Sequence, residues 1–243
     1  MSAQTVLPTP EHVYIGAPPV PLNLPAGLPH RVRGWVTGVA DLTSPDTVSW
    51  CDGTVAERDL LEERLRAAGT FTAGVSRLGK KPLQRPDLPT STPGGPRVFS
   101  CCAIPEDAAP SDLWAEPAAM RRKLITLFTG CMRGRTMYVV PYLTISAAGH
   151  PGGVGIEITD SPFVVVNLGL MNRVGRSAMG RIRAREHWLS SVHSVGYPLV
   201  DAAGSRREDA PWPCNEEKWI AQFPDCEDVW SFGTGFGATA LLA

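Results

Sequence analysis

The feature that most constrains the fold of this chain is a change of period at Ser161-Pro162. Just upstream, Val154, Ile156 and Ile158 recur at every second position, the repeat of a strand with one buried face. Serine before proline then marks the start of a helix, with Ser161 as cap and Pro162 at the first helical position. The pattern predicts a helix over 163–172, against the strand propensity of Val164-Val165-Val166. A strand that feeds directly into a helix points to an α/β or α+β domain.

The remaining pattern agrees. Thr136 to Leu143 reads as a strand, Arg97 to Ile104 as a short buried strand, and Trp219–Phe223 with Val229–Phe232 as a closing strand pair. Thr54 followed three residues later by Glu57 is a capping box. The helix it opens carries an apolar stripe of Leu60, Leu61 and Leu65 and stops at Gly69. A second helix is expected from Ala118 to Phe128, ending near Gly130. Val36 to Trp50 has short apolar stretches broken by turn residues and reads as a strand or loop leading into Cys51-Asp52-Gly53. Residues 1–30 read as a proline-rich extended arm and 79–96 as an irregular proline-rich loop. The expected fold is α/β, a mixed sheet with flanking helices, in a single domain over 31–243.

Composition excludes several function classes. The chain has 243 residues, 43% of them hydrophobic, and a net charge of -1, with no basic footprint for nucleic acid or anionic membrane. No apolar run approaches the roughly 20 residues of a membrane span. Met1 to Pro29 lacks the basic and apolar regions of a signal peptide, so a cytoplasmic protein is expected. Its six cysteines are then thiols, and the adjacent Cys101 and Cys102 lack the second pair that a zinc site needs.

Several ordered motifs carry a resemblance. Gly130-Cys131-Met132-Arg133-Gly134-Arg135-Thr136-Met137-Tyr138-Val139-Val140-Pro141 is similar to a signature of GTP-dependent phosphoenolpyruvate carboxykinases, as is Gly155-Ile156-Glu157-Ile158-Thr159-Asp160-Ser161-Pro162-Phe163-Val164-Val165. Cys51-Asp52-Gly53-Thr54, His193-Ser194-Val195-Gly196, Trp212-Pro213-Cys214-Asn215 and Ser231-Phe232-Gly233-Thr234-Gly235-Phe236-Gly237 follow the family's order. Together they resemble the amino-terminal, substrate-binding half of that family over roughly residues 45–243, as a truncated, diverged homologue. The resemblance implies the fold of that domain and a site for oxaloacetate or phosphoenolpyruvate. It also implies a lysine pair and further metal ligands beyond Ala243. No Gly-x-x-x-x-Gly-Lys-Ser/Thr loop occurs in the sequence, and Lys80-Lys81 follows a single glycine, so no GTP is expected to bind this chain alone.

The resemblance implies Arg97 as the anchor for a substrate carboxylate, which a guanidinium can grip through two parallel hydrogen bonds. It also implies that the turn Gly233 to Ala238 brings backbone N–H groups of Gly235, Gly237 and Ala238 to the substrate. Phe236 stands where the family has tyrosine, and Ala238-Thr239 where it has glycine then asparagine. Arg135 either binds an anionic substrate or pairs with Glu157 or Asp160 as scaffold, and the scaffold role is the favoured one. His193 is expected to support the fold, and Asp52 and Glu57 to serve as turn and cap. No metal site can be assigned from spacing, although Mn or Mg would suit the chemistry. The leading expectation is a nucleotide-independent decarboxylase or related lyase of a biosynthetic pathway, acting on an α-keto or enolic diacid or a phosphonate-like relative. The alternative is a non-catalytic binding subunit, or one half of a split carboxykinase completed by a separate chain. The expected partners are a small anionic carboxylate and either a second copy or another protein, with no nucleic acid and no membrane.

Overall fold

The first element among the described residues is a helix. A computed structural model describes residues 21–70, 72–73, 83–84, 97–145, 151–184, 187–210 and 215–235. Along them run α1 (His30–Thr43), β1 (Thr47–Trp50), α2 (Val55–Ala67), β2 (Thr72–Ala73), β3 (Leu83–Gln84), β4 (Arg97–Ser100) and β5 (Leu113–Trp114). These are followed by α3 (Pro117–Phe128), β6 (Thr136–Ile145), β7 (Pro151–Thr159), α4 (Pro162–Met171), β8 (Arg173–Val174) and α5 (Arg176–Ala184). The last strands are β9 (Leu189–Ser194), β10 (Trp219–Phe223) and β11 (Asp228–Phe232). The main sheet has the order β1-β6-β7-β9-β11-β10-β4-β5, with β8 against β6, while β2 and β3 form a separate pair. Parallel and antiparallel pairings mix, as expected for the α/β class.

Successive residues of a strand point to opposite faces, and paired residues share one. The row Val139, Ile158, Val192, Trp230 and Ala221 therefore lies on one face. There it joins the main core, to which α1 gives Val32, Val36 and Val39, α3 gives Met120, Leu124 and Phe128, and α5 gives Ala178, Met179 and Ile182. Phe128 meets Trp230 edge-on at 4.8 Å between ring centroids. On the opposite face Tyr138, Val140 and Tyr142 pack with Leu61 and Leu65 of α2 and with Val165, Val166 and Leu168 of α4.

Local chemistry explains the helices that the sequence announces. Glu57 N donates to the cap Thr54 Oγ1 at 3.2 Å, Thr54 N donates to Asp52 Oδ1 at 2.8 Å, and Glu57 Oε2 reaches back to accept from Gly53 N at 2.9 Å, a capping box shifted by one residue on its second bond. α3 and α4 start with proline in their first turn, within a residue of the expected positions. Three expectations need correction. Residues 36–50 are not a strand or loop throughout: α1 runs to Thr43, because Val32, Val36 and Val39 recur at helical spacing and are fully buried. Leu60 is exposed, since the core face of α2 uses Leu61 and Leu65, one turn apart. The strand expected over 97–104 is β4, which ends at Ser100, whereas the expected pairing of Trp219–Phe223 with Val229–Phe232 is present as the antiparallel β10–β11 pair. Ser161 has the extended backbone of a cap but makes no side-chain capping hydrogen bond. α5 and β9 were not anticipated, although Ala178, Met179 and Ile182 of α5 recur at helical spacing. Cys51, Cys101, Cys102, Cys131 and Cys226 are free thiols. Most of the 79–96 loop, residues 1–20 of the arm, and Trp212-Pro213-Cys214 lie outside the described residues.

Candidate active site at the carboxyl ends of three parallel strands

β7, β9 and β11 run parallel and end together, with Thr159 beside His193 and Ser194 beside Phe232. β6 runs the other way and begins at the same edge. Residues just past the carboxyl ends of parallel strands are the usual place for a ligand in an open α/β sheet. Here these residues are Asp160, Val195 and the turn Gly233-Thr234-Gly235.

That turn is tightly held. Gly233 has φ 68°, and a Cβ there would run into the carbonyl oxygen of Glu217, so only glycine fits. Ser231 and Thr234 share a hydroxyl hydrogen bond of 2.6 Å. His193, fully buried on β9, reaches the turn from below: its Nε2 lies 2.9 Å from Thr234 O and its Nδ1 lies 2.7 Å from Thr159 Oγ1. A carbonyl only accepts, so Nε2 carries the proton and Nδ1 accepts from the threonine hydroxyl. Burial lowers the His193 pKa, which keeps the ring neutral. His193 is thus a support, as the sequence suggested, and sits under the turn.

Arg135 occupies the other side of the edge. Gly134, at φ 79°, turns the chain into β6, and its N–H donates to Asp46 Oδ1 at 2.8 Å. The Arg135 side chain that follows is only 8% exposed. Its Nε donates to Tyr197 O at 2.6 Å, and its terminal nitrogens grip Asp209 at 2.6 and 3.3 Å. Asp160 lies 4.0 Å from Nε and is itself held by Ser194 Oγ at 2.7 Å and Val195 N at 2.9 Å. The expected partner Asp160 is therefore present. Glu157, the other expected partner, instead accepts from Ser191 Oγ deep in the sheet.

Between these elements opens a cleft of about 420 Å³. Arg64 of α2, Arg135 and Tyr138 of β6, Asp160, Asp209 and Gly235 line it. Arg64 donates to the Tyr138 hydroxyl at 3.3 Å. Burial raises the Tyr138 pKa more than Arg64 lowers it, so the phenol stays protonated at neutral pH and can donate. The structure thus brings Arg135 and Gly235 together on one cleft. Arg97 is not part of it. Arg97 opens β4 in register with Trp219, which pairs with Phe232, so its exposed side chain belongs to the main-core face of the sheet. Phe236, Gly237 and Ala238 lie outside the described residues. Arg64, Tyr138 and Asp209 were missed. Alternation along β6 places Tyr138 on the same face as Val140 and Tyr142, a signal that was available; nothing local marks Asp209.

A divalent metal is a natural partner for enolate chemistry. Among the described residues no group of three or more His, Cys, Asp or Glu side chains could hold one. Asp160 and Asp209 already accept from Ser194 and Arg135. The described residues therefore do not fit a metal set. Nor is any described helix long and apolar enough to cross a membrane.

The family model of the phosphoenolpyruvate carboxykinase N-terminal domain matches residues 34–243. The chain is 39% identical over 218 residues to a GTP-type phosphoenolpyruvate carboxykinase of Renibacterium salmoninarum, covering 87% of this chain and 35% of that protein. It is 38% identical to the enzyme of the same name from Paenarthrobacter aurescens and 36% identical to that of Corynebacterium efficiens, covering 87% and 88% of this chain and 34% of each of those proteins. The chain spans about a third of the length of the relatives it matches.

Proposed function

This chain belongs to the phosphoenolpyruvate carboxykinase N-terminal domain family, and from that premise we propose that it binds a small α-keto or enolic diacid in the cleft and acts on it as a decarboxylase-type lyase. The observation that carries the reading is the pairing of Arg64 with the protonated Tyr138 hydroxyl in a cleft at the carboxyl ends of β7, β9 and β11.

Loss of carbon dioxide from a β-keto acid breaks the bond between the carboxylate carbon and its neighbour. The electron pair moves to the ketone oxygen as an enolate, and the carbon later takes a proton from water. The reaction speeds up where donors stand ready for the charge as it develops on that oxygen. A guanidinium and a phenol held in a partly dry cleft are such donors. Arg135 and Gly235, on the same cleft, are the groups this reading assigns to the carboxylates of the substrate. No step consumes a nucleotide.

A proton NMR time course of oxaloacetate with the purified chain tests this. Wild type is expected to outpace buffer, and Arg64→Ala to lose on the order of 10²-fold of that gain. Loss in Arg97→Ala with none in Arg64→Ala would move the anchor to β4. Wild type tracking the buffer rate would sink the lyase reading. A second reading is favoured by the coverage of about a third: the chain supplies the substrate side of a carboxykinase, and a separate segment or chain supplies the nucleotide side. Phosphoenolpyruvate formed from oxaloacetate and GTP only after a nucleotide-binding partner is added would support it.

A further inference from the structure

We infer that the Arg135 guanidinium is a carboxylate subsite of the cleft, and that Asp209 fills it as a built-in stand-in for a ligand carboxylate until a free dicarboxylate displaces it. This rests on the cleft being the substrate site.

The two carboxylates near Arg135 differ in kind. Asp160 has a fully buried side chain, fixed from two directions by Ser194 Oγ and Val195 N. It is a permanent counter-charge. Asp209 has a side chain 56% exposed. It belongs to the exposed stretch 201–209, and it also accepts from the N–H of its own neighbour Ala210 at 3.0 Å. Yet it makes the two-pronged contact with Arg135, the geometry in which a guanidinium recognises a free carboxylate. Arg135 itself is held on the far side by Tyr197 O, so its position does not depend on Asp209. Both partners line the cleft. One ligand carboxylate in place of Asp209 leaves the charge against Arg135 itself unchanged.

The segment before Asp209 has its own anchors. Val200 bridges to Arg206, Arg207 N donates to Leu199 O at 2.9 Å, and the Arg207 guanidinium lies 3.6 Å from the centre of the Tyr197 ring. Asp209, with its contact to Ala210 N, lies beyond these anchors. An intramolecular carboxylate competes at high effective concentration, which lowers the apparent affinity for a free one.

Isothermal titration of the full chain with malonate tests the exchange. Malonate carries no ketone, so it reads the subsite without turnover. Asp209→Asn and Asp209→Ser are expected to bind malonate roughly tenfold more tightly than wild type, because the competitor is gone. Adding Arg135→Lys to either is expected to abolish the gain. In wild type, saturating malonate is expected to speed tryptic cleavage after Arg206 and Arg207 several-fold, by loosening 208–210, the reverse of ordinary ligand protection. Unchanged or weaker malonate binding in both Asp209 variants overturns the inference, as does cleavage that slows or stays level in wild type. Inorganic phosphate matching malonate in both assays overturns the carboxylate assignment. The lyase reading fails separately, by absence of oxaloacetate turnover with malonate exchange intact. The exchange can fail while turnover stands.

Discussion

The two faces of the central sheet are built from different chemistry. On one, Val139, Ile158, Val192, Trp230 and Ala221 form a continuous apolar row under α1, α3 and α5. On the other, the rows read Tyr138, Thr159, His193, Ser231 and Val140, Glu157, Ser191, Val229. The first face gains from area removed from water and tolerates no gap. The second places buried polar groups that must each find a partner, which forces their geometry. The contrast teaches where stability and where shape come from in this domain. The apolar face holds the sheet together, and the polar face aims the edge that opens into the cleft.

The sharpest way to break this division is to empty the apolar face. Trp230→Ala is expected to cost about 3–5 kcal/mol in urea unfolding, because it leaves a cavity against Phe128. Malonate affinity of the fraction that remains folded should hardly change. A large affinity loss at full folding would show that the two faces are not separable.

His193→Gln probes the polar face. It is expected to cost about 1–3 kcal/mol by disturbing the Thr159 and Thr234 contacts, and to weaken malonate binding by loosening the turn. It also carries a pH signature. Burial lowers the folded-state pKa of His193, so the unfolded chain binds the proton more readily. The stabilisation from the neutral ring is complete above the unfolded pKa of about 6.5 and is lost as pH falls below it toward the folded value. Urea midpoints of wild type should drop between about pH 7 and 5 more than those of His193→Gln. Parallel curves would remove His193 from the account.

Smaller effects sharpen the comparison. Thr54→Ala removes the α2 cap and is expected to cost about 1 kcal/mol by thermal melt. Because α2 carries Arg64, oxaloacetate turnover should fall with it. Glu62→Ala breaks the two i,i+4 pairs with Arg58 and Arg66 and should cost about 0.5–1 kcal/mol, with turnover unchanged.

Much of this was legible in the sequence, unevenly. β7 and α4 were readable because a strict two-residue alternation meets a proline at a helix start. α2 was readable from Thr54 and Glu57, whose side chains act within one turn. α1 was not read as a helix, because Gly34, Gly38 and its valines argue against one locally, and burial of Val32, Val36 and Val39 overrides that. Of the expected site residues, Arg135 and Gly235 meet at the cleft, while Arg97 belongs to the other face, which motif order alone could not show. Asp209 was invisible for a plainer reason: its partner, Arg135, stands just before β6, far away along the chain, and only the fold brings them together.

The position of β11 has a consequence for how the chain is made. β4 pairs with β10 and β5 with β4, and β10 reaches β9 only through β11. Ser100 therefore has no route into the sheet until Gln222 exists. At roughly 5–20 residues per second of synthesis, that is a wait on the order of ten seconds. During it the edge of the Val98 and Phe99 strand that faces away from β5 is open in search of a neighbour, and a newborn chain is most exposed to mispairing there, at the end of the sheet opposite β1.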